Sequence, residues 1–118
     1  YLASVKARRF RPGEHDCGSF TLGWVYEETG LDHFARWRGL YRSMDQLDDV
    51  MQDAGFANHV EYIASVLEEI APAFAKVGDI MVVQNEALGI CSSERVHVLR
   101  PDGQGHVSRM TAERAFKV

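Results

Sequence analysis

The feature that most limits what this chain can fold into is a change of period near residue 76. Before it, apolar side chains return at three- and four-residue steps, the spacing of helices with one buried face. Beyond it they fall in short runs rich in β-branched residues, the signature of strands. Over residues 16–29 the recurring positions are Cys17, Phe20, Trp24 and Val25, with Asp16 placed to cap the start and Gly30 to end the helix. Ser43 and Gln46 form a capping-box pattern ahead of the stripe Met44, Leu47, Val50, Met51 and Ala54, which Gly55 closes. Asn58 and Glu61 repeat the device, and a third helix carries Val60, Ile63, Ala64 and Leu67 inward before Pro72 stops it. A short leading helix is expected over residues 2–9, ended by Pro12 and Gly13. Strands are expected at 80–83, 88–91, 96–99 and 106–110, with a hairpin turn at 101–105 and a tighter connection at Asn85 and Glu86. Helices first and strands second predict an α+β domain, its helices packed on a small C-terminal antiparallel sheet.

At 118 residues and 46% hydrophobic, the chain suffices for one domain over 1–118 with its own core. A formal net charge of -4 repels a polyanion and argues against nucleic acid as a partner. The basic residues Lys6, Arg8, Arg9, Arg11, Arg36, Arg38 and Arg42 precede an acidic stretch from Asp45 to Glu69, the pattern of solvated helix faces. No apolar run approaches the roughly 20 residues of a membrane span and no charged-then-apolar leader opens the chain, so a soluble protein is expected. Two cysteines, Cys17 and Cys91, without paired metal-ligand spacing, predict free thiols, no metal and no cofactor.

Cys17 falls in the first turn of a predicted helix, where the free backbone N–H groups and the positive end of the dipole favour thiolate over thiol. That makes it a candidate nucleophile, although a buried structural cysteine fits the same position.

Three segments in order carry a family resemblance. His15, Asp16, Cys17, Gly18, Ser19 and Phe20 resemble the Asp-Cys motif that opens the nucleophile helix of NlpC-type cell-wall peptidases, relatives of the papain fold. Val77, Gly78, Asp79 and Ile80 resemble the Gly-Asp segment that leads into their sheet, and Leu88, Gly89 and Ile90 their second strand, which in active members reads His-x-Gly-Ile. The chain is also similar to a group of short phage and prophage tail-associated proteins. Trp37 to Tyr41, Ala87 to Cys91 and the ending Phe116, Lys117 and Val118 carry that likeness over nearly the whole length.

The resemblance also exposes a departure. Where active peptidases place the general-base histidine, this chain has Ala87, which accepts no proton. His97 lies near the position of the family's orienting polar residue and is the candidate replacement base. Ala87, Gly89 and Cys91 alternate onto one strand face, so Cys91 is expected either to face Cys17 across a shared pocket or to pack in the core. Trp37, Arg38 and Tyr41 are a candidate binding surface, the alternative being that Trp37 plugs the core beneath a long loop. His15 is expected to brace its loop, Asp79 to serve a turn, and His33, His59 and His106 to be surface or capping residues.

What the resemblance implies is a phage tail-tip or baseplate-associated structural protein on a degenerate peptidase scaffold, assembled in the bacterial cytoplasm and carried in the virion tail. Its partners would be other tail-tip or hub proteins. The alternative is an active cysteine hydrolase that cleaves peptidoglycan peptides during phage entry, with Cys17 as nucleophile.

Overall fold

Asp16, Ser43 and Asn58 each hold an extended backbone and then turn the chain into a helix, and in each case the side chain accepts the backbone N–H three residues on. These caps start α2 (Cys17–Thr29), α3 (Met44–Asp53) and α4 (His59–Val66). The full reciprocal capping box occurs at Asp16, whose N–H donates to Ser19 Oγ at 2.8 Å. At Ser43 the Gln46 side chain accepts instead from Arg42 N–H, and at Asn58 the Glu61 carboxylate turns away to Arg114. Gly30 ends α2 in the left-handed region, φ 77°.

The computed structural model describes residues 1–6 and 8–118. Its first helix, α1, covers Leu2–Val5. The expected helix over 2–9 crosses residue 7, which lies outside the described residues.

The strands are β1 (Glu68–Ile70), β2 (Ile80–Val83), β3 (Ala87–Cys91), β4 (Arg95–Arg100), β5 (Gly103–Ser108) and β6 (Arg114–Lys117). They form one antiparallel sheet in the order β1-β6-β2-β3-β4-β5. The α+β class and four of the strands follow the sequence expectation. β1 and β6 do not: β6 has charged residues at both ends and no alternating pattern, and it becomes a strand because β1 and β2 pair with it from either side. The last expected strand also shifts, since the turn shrinks to Pro101 and Asp102 and β5 begins at Gly103.

Period two divides the sheet between two apolar clusters. Ile80, Val82, Leu88, Ile90, Leu99 and Phe116 join the core beneath the helices, together with Phe20, Val25 and Ile63. Met81, Val83, Cys91, Val96, Val98 and Ala115 form a smaller cluster with Ala75. Phe20, Ile80 and Phe116 are fully excluded from solvent, each contributing about 2 kcal/mol by burial. Gly89 belongs to the smaller cluster's face, where a Cβ would come within 2.4 Å of Val96 Cγ1 and 2.8 Å of His97 O, so only glycine lets β4 lie this close.

Candidate functional site

The site is built around the start of α2. Arg11 and His15 exchange backbone hydrogen bonds of 2.7 Å, closing a tight turn through Gly13, φ 81°. The Asp16 side chain, wholly buried, accepts from Gly13 N–H at 2.8 Å, from Ser19 N–H at 3.0 Å and from the Tyr41 hydroxyl. Gly39 N–H donates to Gly13 O at 2.9 Å, so the turn before the helix and the loop at 34–42 are stitched together. His15 is buried, with Nε2 unpartnered, and burial and the nearby Arg8 hold its imidazole below the ordinary range.

Cys17 is the first residue of α2 and is half-buried. Burial pushes its thiol up to about 11, and the Asp16 carboxylate pushes the same way. The N–H groups of Leu88, Gly18 and Cys17 itself favour the thiolate but do not offset these two effects. The helix terminus therefore does not by itself make Cys17 a thiolate at neutral pH.

Cys17, Trp37, Tyr41, His59, Tyr62 and Leu88 are among the walls of a cavity of about 20 Å3, room for about one water molecule. Phe34, Leu47 and Met51 make its remaining surface largely apolar. Two of its wall residues hold buried polar atoms without a partner, Trp37 Nε1 and His59 Nδ1. The other His59 ring nitrogen, Nε2, lies 2.6 Å from Glu86 O.

The remaining site residues fall elsewhere. His97 lines a separate and wider recess of about 310 Å3, with Tyr1, Leu2, Trp24 and Ile90; Cys17 is not on its wall. Burial, His106 and Arg95 all lower the pKa of His97, and its nearest ring is His106, 6.4 Å away across the β4–β5 pair. The shared thiol pocket does not form: Cys91 belongs to the smaller cluster with Met81, Val96 and Ala115, on the opposite face of the sheet from Leu88. Ala87 turns the same way as Cys91 and lines a recess with Val83, Val98 and Arg100. The strand residue at the cavity with Cys17 is thus Leu88.

Trp37 and Tyr41 are each only 2% exposed, so they do not form a binding surface. Trp37 fills the core edge-on to Tyr62 at 4.9 Å and to Phe56 at 6.1 Å, with the Arg36 guanidinium 4.5 Å above its ring. Of the three expected surface residues, only Arg38 is exposed, and it pairs with Asp32 at 3.2 Å. Asp79 is a turn residue as expected, its carboxylate accepting from Lys76 N–H at 2.8 Å and Val118 N–H at 3.1 Å. His59 also caps a helix start as expected. Its place beside Cys17 is set by the packing of α4 on the strand β3, and no local sequence signal marks it.

No curated protein and no solved structure matches the chain. One family model does, described as "Domain of unknown function (DUF6950)", and it covers residues 1–118. The match spans the whole chain, cavity and sheet alike, and the chain belongs to the DUF6950 family.

Proposed function

We propose that the protein is a phage or prophage tail-tip or baseplate-associated structural protein that uses an NlpC-like scaffold without its peptidase chemistry. The observation that carries this reading is the state of the site. Ala87 occupies the general-base position, and the Cys17 thiol opens on a cavity of about 20 Å3, where a site that holds a small molecule measures roughly 300 Å3 or more. The walls beside the sulfur, Phe34, Trp37, Leu47, Met51 and Leu88, offer little to the polar groups of a peptidoglycan peptide. What supports the NlpC-like reading of the scaffold is an Asp-Cys helix start packed against a Leu-Gly-Ile strand, in the order the resemblance implies.

The role places the protein in the virion tail, docked on other tail-tip or hub proteins. The test is the composition of tail particles purified from the strain that encodes the chain. The chain is expected in them at fixed stoichiometry, and Cys17→Ala protein is expected to be incorporated equally. Absence of the chain from purified tails, or failure of the Cys17→Ala particles to enter cells after normal adsorption, contradicts it. The second outcome would favour the active hydrolase.

A further inference from the structure

We propose that His59, from the first turn of α4, is the proton acceptor of Cys17, standing in from another element for the histidine that β3 lacks. The inference goes beyond the structural role, and its test does not depend on where the protein resides.

Three observations converge. First, Cys17 and His59 line the same small cavity. Second, the imidazole is held in one tautomer. Its Nε2 lies 2.6 Å from Glu86 O, a carbonyl that can only accept, so Nε2 carries the proton and Nδ1 keeps its lone pair. That Nδ1 is buried and unpartnered, a state that costs about 1–3 kcal/mol and calls for a reason. Third, Glu86 is the one non-glycine among the described residues with positive φ, 60°. The strained residue is the one whose carbonyl orients the histidine, and strain of this kind gathers at working sites. Two residues further on, Leu88 offers its N–H to the Cys17 sulfur. The start of β3 thus serves both partners, fixing the imidazole through Glu86 and supporting the thiolate through Leu88.

The step is a proton transfer. The S–H bond breaks, its electron pair stays on sulfur, and the proton moves to Nδ1, giving a thiolate and an imidazolium. Toward an alkylating carbon such as that of iodoacetamide, the S–C bond forms as the C–I bond breaks and iodide leaves, while the proton remains on His59 until solvent takes it. The apolar walls suit a small uncharged electrophile. The titratable groups around the pair are Tyr41 and Tyr62 on the cavity wall, Asp16 and His15 before α2, and Glu86 beside His59. Asp16 opposes a lone thiolate and favours the imidazolium, so charge separation onto His59 is the form of ionisation this setting tolerates.

The experiment measures the rate of iodoacetamide alkylation of Cys17 from pH 5 to 10 in Cys91→Ser protein, with and without His59→Gln. The glutamine amide can still donate to Glu86 O but accepts no proton in the relevant range. The expected result is a reactive form that persists down to the imidazole range near pH 6.5, with the rate at pH 7 falling about tenfold or more in His59→Gln. Superimposable profiles, or no reaction at any pH, overturn the proposal. Because His59→Gln could disturb α4, nitrogen NMR of the unaltered chain gives a second reading. Protonated Nε2 with bare Nδ1 is expected, and a proton on Nδ1 overturns it.

Discussion

The Tyr41 hydroxyl donates to the Asp16 carboxylate in the buried interior, joining the start of α2 to the loop that walls the Cys17 cavity. Asp16 is at once helix cap, turn lock and loop anchor, with Ser19, Gly13 and Tyr41 as its three donors. Asp16→Ala removes the acceptor and leaves those donors unpaired, for an expected loss of about 3 kcal/mol. Tyr41→Phe removes one bond and keeps the ring, for about 1.5 kcal/mol. Urea unfolding midpoints measure both, and equal losses would contradict the three-way role.

Gly13 and Gly39 share positive φ, 81° and 77°, but differ in space. A Cβ on Gly13 would lie 2.2 Å from Tyr41 O, whereas one on Gly39 meets nothing within 4 Å. Gly39→Ala is expected to cost only the strain of the left-handed region, about 1 kcal/mol. Gly13→Ala must also push the two loops apart and is expected to cost at least about 3 kcal/mol. Thermal melts of the two variants decide it, and similar melting temperatures would sink the argument.

Trp37 and Arg38 are neighbours with opposite fates, one buried in the core and the other paired at the surface. Trp37→Ala is expected to destabilise by about 4 kcal/mol through the cavity it leaves. Arg38→Ala is expected to stay within about 0.5 kcal/mol, since an exposed ion pair contributes little. Denaturant titration of both reads the difference.

Much of the helical half was legible because its signals are local. The caps at Asp16, Ser43 and Asn58 and the stop at Gly30 depend on residues within four positions of one another. The missed parts depend on distant partners. β1 and β6 are short strands that exist through pairing across more than forty residues, as Glu69 with Phe116 illustrates. The face on which Ala87 and Cys91 sit follows from the register of β3 against β2 and β4, so alternation grouped them correctly but did not say which group meets α2. His59 and Cys17 are brought together by the packing of α4, which local sequence does not encode. Trp37 had two readings in the sequence, and burial decides for the core.

Stability should fall in alkali partly through Cys17. Its thiol is raised from an ordinary 9.0 to about 11 in the folded protein. Between those values the unfolded chain gives up a proton that the folded chain retains, so this contribution is complete below pH 9 and is lost as pH rises toward 11. Cys17→Ala is therefore expected to flatten the decline in unfolding free energy over that window relative to the parent. Tyr1, raised by burial to about 12, leaves a further decline at higher pH in both proteins. Parallel curves for parent and variant from pH 9 to 11 would show that the thiol is not buried as described.

The most direct test of the central claim, a peptidase-like scaffold that does not hydrolyse, is to incubate the purified protein with peptidoglycan sacculi and follow released peptides by mass spectrometry. The account predicts no release beyond that of Cys17→Ala protein, because Ala87 stands at the base position and the Cys17 cavity holds only about 20 Å3. Peptides released by the parent and absent with Cys17→Ala would contradict it and establish a working hydrolase.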